Sequence, residues 1–120
     1  MIRRKALWLA PPRQLNRWTD LEKVHYTIDG KAFSTIEEFA KYFSATVLRD
    51  HTWRGNLDAF NDILRGGFGT PDGRFVLVWQ DHITSRHRLG VDLFDTLIEI
   101  IRDHGPGGSE AEDGVELVLA

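Results

Sequence analysis

Two aspartates, Asp58 and Asp62, lie four residues apart in a short segment, and their carboxylates are the groups best placed to do chemistry. The segment reads Asn-Leu-Asp-Ala-Phe-Asn-Asp-Ile-Leu-Arg over residues 56–65. On a helix this spacing stacks the two carboxylates on adjacent turns, where they repel by about 0.2–0.5 kcal/mol. Asp62 would also lie near the negative end of the helix dipole. Arg65, three residues further on, relieves part of this cost. Such a surface can bind the arginines and lysines of a partner.

The same pattern has a second explanation that involves no partner. Charged side chains commonly form the solvated side of an amphipathic helix. Charge alone does not separate this interpretation from a binding surface. Surroundings do separate them: if Asp58 and Asp62 are held by arginines of the chain itself, away from open surface, a binding role loses its physical basis.

Other residue types with possible chemistry give weaker indications. Three histidines directly follow aspartates, but sequence neighbours do not face each other on a helix, so these pairs are not carboxylate–imidazole dyads. His82 and His87 are five residues apart and do not share one helical face, so we predict no metal site. The glycine-rich segment 66–73 lacks the Gly-Lys-Ser/Thr ending of a phosphate-binding loop. We expect no cofactor and no enzymatic activity. The three pairs are Asp50-His51, Asp81-His82 and Asp103-His104.

The acidic segment predicts a short helix with a defined start and end. Asn56 is a good N-cap because its amide oxygen can accept a backbone N–H of the first turn. Gly66 can close the helix in the left-handed conformation. Four apolar residues at helical spacing predict the buried face. They are Leu57, Phe60, Ile63 and Leu64.

Three further apolar segments predict the strands of a sheet. Val24, Tyr26 and Ile28 alternate with polar residues, which indicates a strand with one buried face. The continuous apolar run Phe75-Val76-Leu77-Val78-Trp79 is typical of a central parallel strand, and Val115 to Leu119 predicts the last strand.

Helices are predicted between these strands. Ser34 and Glu37 form a capping box that opens a long helix, and Asp81 could cap a short helical turn. Asp92 opens the last helix, which ends at Gly105-Pro106. The segment from Gly105 to Gly114 is predicted to be a flexible acidic loop. Joined by right-handed crossovers, these elements predict an α/β fold with a small three-stranded parallel sheet and about four helices.

Composition limits the classes of partner and the location. The chain has 120 residues, no cysteine and a net charge of −3. The charge argues against general nucleic-acid binding, which requires many lysines and arginines, and an acidic body favours a basic partner. The apolar run near the N-terminus is too short for a signal peptide, and no run is long enough to span a membrane. We therefore expect a cytoplasmic monomer that binds neither nucleic acid nor membrane.

The run at residues 56–64 and the order of elements resemble the barstar family of intracellular inhibitors of secreted ribonucleases. The resemblance covers about residues 23–120, and we divide the chain into an N-terminal extension, 1–22, and a barstar-like domain, 23–120. In the extension, Trp8 and Trp18 are expected to pack on the domain, and the alternative is that the extension contacts a partner. The resemblance implies the barstar-like fold.

The resemblance also implies a function. The protein would bind a basic extracellular-type ribonuclease, barnase-like or guanyl-specific, and cover its active site, with a carboxylate of the acidic helix in the place of substrate phosphate. Asp62 matches the deepest acidic contact of the family. The implied contact residues are Trp53, Asn56, Asp58, Asn61, Asp62, Gly66, Phe68 and Asp103.

This sequence departs from the family pattern in the loop after the acidic helix, where only Phe68, one position away, corresponds to a tryptophan of the family. Two further departures bear on the choice of partner. Asn61 replaces a tryptophan, and Arg54 stands where a glycine is expected, with Gly55 one position later. These departures favour an alternative, in which the protein is an immunity or adaptor protein of the same fold that binds a different basic toxin or protein.

Overall fold

A three-stranded parallel sheet forms the centre of the fold. The computed structural model describes residues 24–48, 51–66, 69–70 and 74–120. Strand β1 spans Val24–Asp29, β2 spans Phe75–Gln80 and β3 spans Val115–Leu119. Their order is β1-β2-β3 and both pairings are parallel. The continuous apolar strand β2 is thus central, as its sequence predicts, because both of its faces are covered.

Four α-helices lie between the described strands. Helix α1 spans Ile36–Thr46, α2 spans Leu57–Arg65, α3 spans His82–Leu89 and α4 spans Val91–Asp103, and a short 3₁₀ helix covers Ala111–Asp113. Helix α4 packs against α2, α3 and β3. The predicted α/β class with a small parallel sheet and about four helices is confirmed.

The start of α1 lies one residue later than the sequence suggests. Thr35, not Ser34, is the N-cap, and its hydroxyl accepts the Glu38 N–H at 3.1 Å. The Glu38 carboxylate accepts the Ser34 N–H at 2.7 Å. The capping box therefore uses Thr35 and Glu38 in place of Ser34 and Glu37, because α1 has its third residue at Glu38.

Helices α3 and α4 begin without a side-chain cap. Asp81 precedes α3 in the left-handed conformation, with φ 53°, and its carboxylate makes no capping hydrogen bond. Gly90 separates α3 from α4 and precedes Val91, so Asp92 lies inside the first turn of α4. Asp81 lies at the N-cap position of α3, as predicted, but its side chain does not cap the helix. The prediction that Asp92 opens α4 is wrong, because the helix starts one residue earlier, at the turn formed by Gly90.

Aromatic side chains fill the core between the sheet and the helices. Phe39 of α1 stacks on Trp79 of β2, with ring centroids 5.2 Å apart and 9° between the planes. The Trp79 indole N–H donates to the Ser85 hydroxyl at 2.9 Å, and that hydroxyl donates to the Gly30 carbonyl at 2.8 Å. This chain joins the β1–α1 turn, β2 and α3 through one buried serine.

The segment after α4 is held against the rest of the domain. The Val115 N–H donates to the His104 carbonyl at 2.8 Å, and the Glu110 N–H donates to the Asp103 carbonyl at 2.8 Å. Gly105 lies so close to the Val115 carbonyl that a Cβ would collide with it. The segment between Gly105 and Gly114 is therefore not loop throughout, since it contains the 3₁₀ helix and is hydrogen-bonded to the end of α4. Its flexibility stays a prediction.

Candidate functional site

The start of the acidic helix α2 is held by a buried tryptophan. Asn56 is its N-cap, as predicted, and the Asn56 side-chain oxygen accepts the Ala59 N–H at 3.1 Å. The Trp53 indole N–H donates to the Asn56 carbonyl at 2.8 Å. Gly55, with φ 109°, turns the chain between these two residues. The glycine that follows Arg54 thus supplies the positive φ needed to enter α2.

Trp53 lies in the core and not on the surface. Its side chain is 3% exposed, and its ring stacks on Phe60 with centroids 4.5 Å apart. The Trp53 N–H donates to the buried Ser44 hydroxyl at 2.8 Å. A partner would find almost no part of the Trp53 side chain accessible, so we leave Trp53 out of the proposed contact surface.

The apolar side of α2 fixes the rotation of the helix. Phe60, Ile63 and Leu64 are buried, and the rings of Phe60 and Phe43 form a T-shaped pair with centroids 5.2 Å apart. Because side chains four residues apart lie on one face, burial of this stripe turns the acidic side of α2 outward.

The two aspartates of α2 have different surroundings. Asp58 is exposed and, within the described residues, makes no hydrogen bond or ion pair. The Asp62 side chain is 59% exposed, and its Oδ1 accepts from Arg65 Nη1 at 2.5 Å. Neither carboxylate is removed from open surface, although one oxygen of Asp62 is paired inside the chain. The binding interpretation therefore keeps its physical basis at both positions.

Arg65 joins α2 to the segment after α4. Its Nε and Nη2 donate to the two carboxylate oxygens of Glu110 at 2.6 and 3.1 Å. The hydrogen bond from Arg65 and then the Arg65 charge lower the pKa of Glu110, and the same contact raises the pKa of Arg65. This fork satisfies the guanidinium geometrically. Its single positive charge is shared between Glu110 and Asp62, so with Asp58 the outer side of α2 stays net negative.

Asn61 faces inward, onto a buried histidine. The Asn61 Oδ1 lies 2.5 Å from His104 Nε2, and the Asp113 Oδ2 lies 2.6 Å from His104 Nδ1. His104 is fully buried. Asn61 is thus engaged within the domain, at the position where the family resemblance implied a partner contact.

His104, Glu110 and Asp113 form a cluster whose ligand atoms lie within 4.8 Å of one another. Glu110 already binds the Arg65 guanidinium, and Asp113 already binds the His104 ring. The positive charge that a metal ion would bring is supplied by these internal contacts. The cluster gives no reason to assign a metal site.

Gly66 ends α2 in a conformation that differs from the predicted one. Its φ of 108° and ψ of 170° lie outside the left-handed helical region, and its N–H donates to the Ile63 carbonyl at 3.0 Å. This region is nearly restricted to glycine. The prediction of Gly66 as the helix end is confirmed, and that of its left-handed conformation is wrong, because the chain leaves the helix in an extended direction.

Asp103 and Phe68 complete the set of predicted contact residues. Asp103 is exposed in the last turn of α4, next to His104. The contacts of Glu110 with the Asp103 carbonyl and with Arg65 place Asp103 at the same end of the molecule as Asp62. Phe68 lies outside the described residues, as do Trp8, Trp18 and the remainder of segment 1–22.

Three residues that organise this end of the molecule have no signal in the local sequence pattern. His104, Glu110 and Asp113 reach α2 only through the fold, since His104 is 43 positions from Asn61 and Glu110 is 45 positions from Arg65. The adjacent pair Asp103-His104 drew attention to the histidine, but its carboxylate partner is Asp113.

The order of the parallel sheet and the acidic helix packed against α4 define a small α/β domain of barstar-like architecture. The family model described as Barstar (barnase inhibitor) matches residues 23–120. The chain therefore belongs to the barstar family, which is a family of inhibitors and not of enzymes. Comparison with curated proteins gives no significant match. Among the described residues, no helix has the length and apolar character that crossing a bilayer demands.

Proposed function

We propose that this protein inhibits a basic ribonuclease by covering its active site with the acidic side of α2. The observation that carries the proposal is the exposure of Asp58 and Asp62 on a helix whose opposite side is locked into the core. Membership of the barstar family supports a ribonuclease as the target. The proposed target is a barnase-like or guanyl-specific enzyme of the extracellular type.

The proposed mechanism is electrostatic and steric. A ribonuclease must bind phosphate and therefore presents arginine, lysine and histidine in its cleft. A carboxylate on a rigid helix can occupy the phosphate position and accept hydrogen bonds from these groups. We assign this role to Asp62, with Asp58 and Asp103 as flanking charges. The Asp62 Oδ2 makes no hydrogen bond within the described residues and can accept from the enzyme while Oδ1 stays on Arg65.

The proposed contact surface includes two further positions at the ends of α2. Asn56 and Gly66 border the acidic side at its start and at its end. Phe68 follows Gly66 closely in the sequence and stays in the proposal on the strength of the family resemblance.

A titration with matched variants tests the proposal. The wild-type protein is titrated into guanyl-specific and barnase-like microbial ribonucleases, and RNA cleavage is measured. Asp62→Ala is expected to weaken inhibition at least tenfold, because truncating one partner of a buried charge pair usually costs 2 kcal/mol or more. Asp92→Ala is the control, since Asp92 is an exposed aspartate at the opposite end of α4, roughly 16 Å from Asp103 along the helix.

Two outcomes of this titration would count against the proposal. If the wild-type protein inhibits none of these ribonucleases, the ribonuclease target is wrong. If Asp62→Ala and Asp92→Ala inhibit equally well, Asp62 has no special role. The proposal also places the protein in the cytoplasm of a bacterial producing cell as a monomer, which agrees with the absence of cysteine from the sequence.

A second candidate function is supported by the two departures from the family pattern. Arg54 is exposed, and it adds a positive charge close to the start of the acidic helix. Asn61 is turned inward and offers no aromatic surface. Both features favour an immunity or adaptor protein that binds a basic toxin other than a ribonuclease. Affinity purification from the producing cell, followed by an RNA-cleavage assay of the bound protein, separates the two candidates.

A further inference from the structure

The hydrogen-bonded chain from Asn61 through His104 to Asp113 crosses from the acidic helix to the 3₁₀ helix. It begins on α2, passes through the residue that follows α4, and ends at Asp113. His104 is fully buried, and the Asp113 side chain is 16% exposed. This hydrogen-bonded chain therefore joins three elements at a largely buried place.

Asn61 occupies a central position on α2. It lies between Asp58 and Asp62 in the sequence, and its side chain is only half-buried. The core contacts of Phe60 fix one side of the helix, and the Asn61 contact with His104 fixes another. Two contacts on different sides restrain both the rotation and the distance of α2 relative to α4.

The chemistry of the histidine makes this contact demanding. Both ring nitrogens face side-chain oxygens, at Asp113 and at Asn61. A neutral imidazole has one N–H donor and one acceptor, whereas an imidazolium has two donors. Two arrangements satisfy both ring nitrogens. Either an imidazolium donates to Asn61 Oδ1, or a neutral ring accepts at Nε2 from the Asn61 amide group, rotated so that its NH₂ faces the ring. In both arrangements Nδ1–H donates to Asp113, and loss of the Asn61 amide leaves Nε2 buried without a partner.

We propose that Asn61 is a positioning residue that acts through His104, and not a residue that contacts the partner. The Asn61–His104–Asp113 chain holds α2 at the orientation in which Asp58 and Asp62 face outward together. This inference rests on the proposed function, because the effect of the positioning is an increase in affinity for a basic ribonuclease. At this position of α2, a contact inside the inhibitor thus takes the place of a contact with the partner.

A double-mutant cycle in binding tests the inference. The variants are Asn61→Ala, His104→Phe and the double variant, and the dissociation constant for the inhibited ribonuclease is measured for each. Asn61→Ala is expected to raise the dissociation constant about three- to tenfold, and to change it less than about twofold in the His104→Phe background, where residue 104 has no hydrogen-bonding side-chain atom. Equal fold-changes in the two backgrounds would show direct contact with the partner and overturn the inference.

A second variant, at Asp113, tests the inference in case the His104 variant does not fold. Asp113→Ala removes the oxygen that faces Nδ1, at the edge of the hydrogen-bonded chain, where the side chain is slightly exposed. Asn61→Ala is expected to have the same reduced effect in this background. Glu112→Gln is the matched control, because Glu112 is exposed, adjacent in the 3₁₀ helix, and makes no hydrogen bond within the described residues.

The free protein gives a readout that does not depend on the ribonuclease. Asn61→Ala is expected to shift the ring ¹⁵N resonances of His104 and to speed amide exchange in α2, and Glu112→Gln is expected to change neither. Unchanged His104 resonances in Asn61→Ala would show that the contact is absent in solution, which overturns the inference alone. A wild-type protein that inhibits no ribonuclease overturns the proposed function, and with it the effect on affinity.

Discussion

Asp58 and Asp62 occupy consecutive turns of one helix, but their local energetics differ. Asp58 lies in the first turn of α2, where the helix dipole favours a negative charge. Asp62 lies near the last turn, where the dipole disfavours it, and the contact with Arg65 compensates. An exposed ion pair contributes at most about 1 kcal/mol. Asp62 is therefore tolerated by the fold, not required by it.

Replacement of Asp58 by asparagine is expected to leave stability nearly unchanged. Loss of the favourable dipole contact costs about 0.3–1 kcal/mol, and relief of repulsion from Asp62 returns about 0.2–0.5 kcal/mol. The net change in the free energy of unfolding of Asp58→Asn is expected to be below about 0.8 kcal/mol, as measured by urea denaturation. A loss above 2 kcal/mol would show that Asp58 has a structural partner.

The contact between Glu110 and Arg65 predicts a pH dependence of stability. The contact lowers the pKa of Glu110 below its ordinary value of 4.5. Between the two values the unfolded chain binds more protons than the folded one, so stability rises with pH there. The contribution is complete above about pH 4.5 and is lost as the pH falls through the lowered pKa.

Glu110→Gln removes this titration from the protein. The unfolding free energy of Glu110→Gln is expected to fall less steeply than that of the wild-type protein as the pH decreases below 4.5. Urea denaturation at a series of pH values measures the slope, and Glu112→Gln should retain the wild-type slope. Equal slopes for all three proteins would contradict the role of the Arg65 contact.

At the scale of the element, α2 is a short helix whose ends and buried side are all specified. An isolated helix of this length is unstable in water. Asn56 caps its start, Gly66 ends it, and Phe60, Ile63 and Leu64 bury one side. The helix therefore depends on tertiary contacts for its existence, and these contacts also determine which way its acidic side faces.

Variants of the N-cap residue Asn56 separate an effect on stability from an effect on binding. Asn56→Ala is expected to lower the free energy of unfolding by about 0.5–2 kcal/mol, because an N–H of the first turn loses its acceptor. Asn56→Ser should restore most of the stability, since serine is also a good cap.

Ribonuclease affinity of the same two variants tests the place of Asn56 in the contact surface. A direct contact predicts that Asn56→Ser is stable but binds more weakly than the wild-type protein. Wild-type affinity in Asn56→Ser would remove Asn56 from the surface and leave it the role of a cap. Thermal or urea denaturation of Thr35→Ala gives a matched comparison for a cap on α1, away from the acidic helix.

At the scale of the whole molecule, one buried hydroxyl joins three parts of the fold. Ser85 accepts from the Trp79 indole and donates to the Gly30 carbonyl. Ser85→Ala leaves both groups unpaired in the core and is expected to lower the free energy of unfolding by about 1–3 kcal/mol. Ser109→Ala, at an exposed serine, is the control and should change it little.

The distribution of charge predicts salt-sensitive association. An acidic surface accelerates the approach of a basic partner, and salt screens this attraction. Between 50 and 500 mM salt, the association rate constant is expected to fall on the order of tenfold, with a smaller change in the dissociation rate constant. The double variant Asp58→Asn, Asp62→Asn should show a weaker dependence. Stopped-flow fluorescence measures both rate constants, and a rate independent of salt would contradict electrostatic steering.

Much of this architecture follows from the sequence by itself. The periodicity of apolar residues predicts α1 and α2, the continuous run Phe75-Val76-Leu77-Val78-Trp79 predicts the central strand, and the run at residues 56–64 indicates the family. These features are local, because burial of one face imposes a period of 3.6 on a helix and full coverage imposes a continuous apolar run on a strand.

Only the tertiary structure decides which polar groups meet. Arg65 could have been assigned to Asp62 by spacing, but its fork with Glu110 crosses 45 positions, and the Asn61–His104 contact crosses 43. Contacts of this kind have no sequence period, because they depend on how α2, α4 and the 3₁₀ helix pack together. The sequence determined that α2 carries two aspartates, and packing decided that both stay open to solvent while Asn61 turns inward.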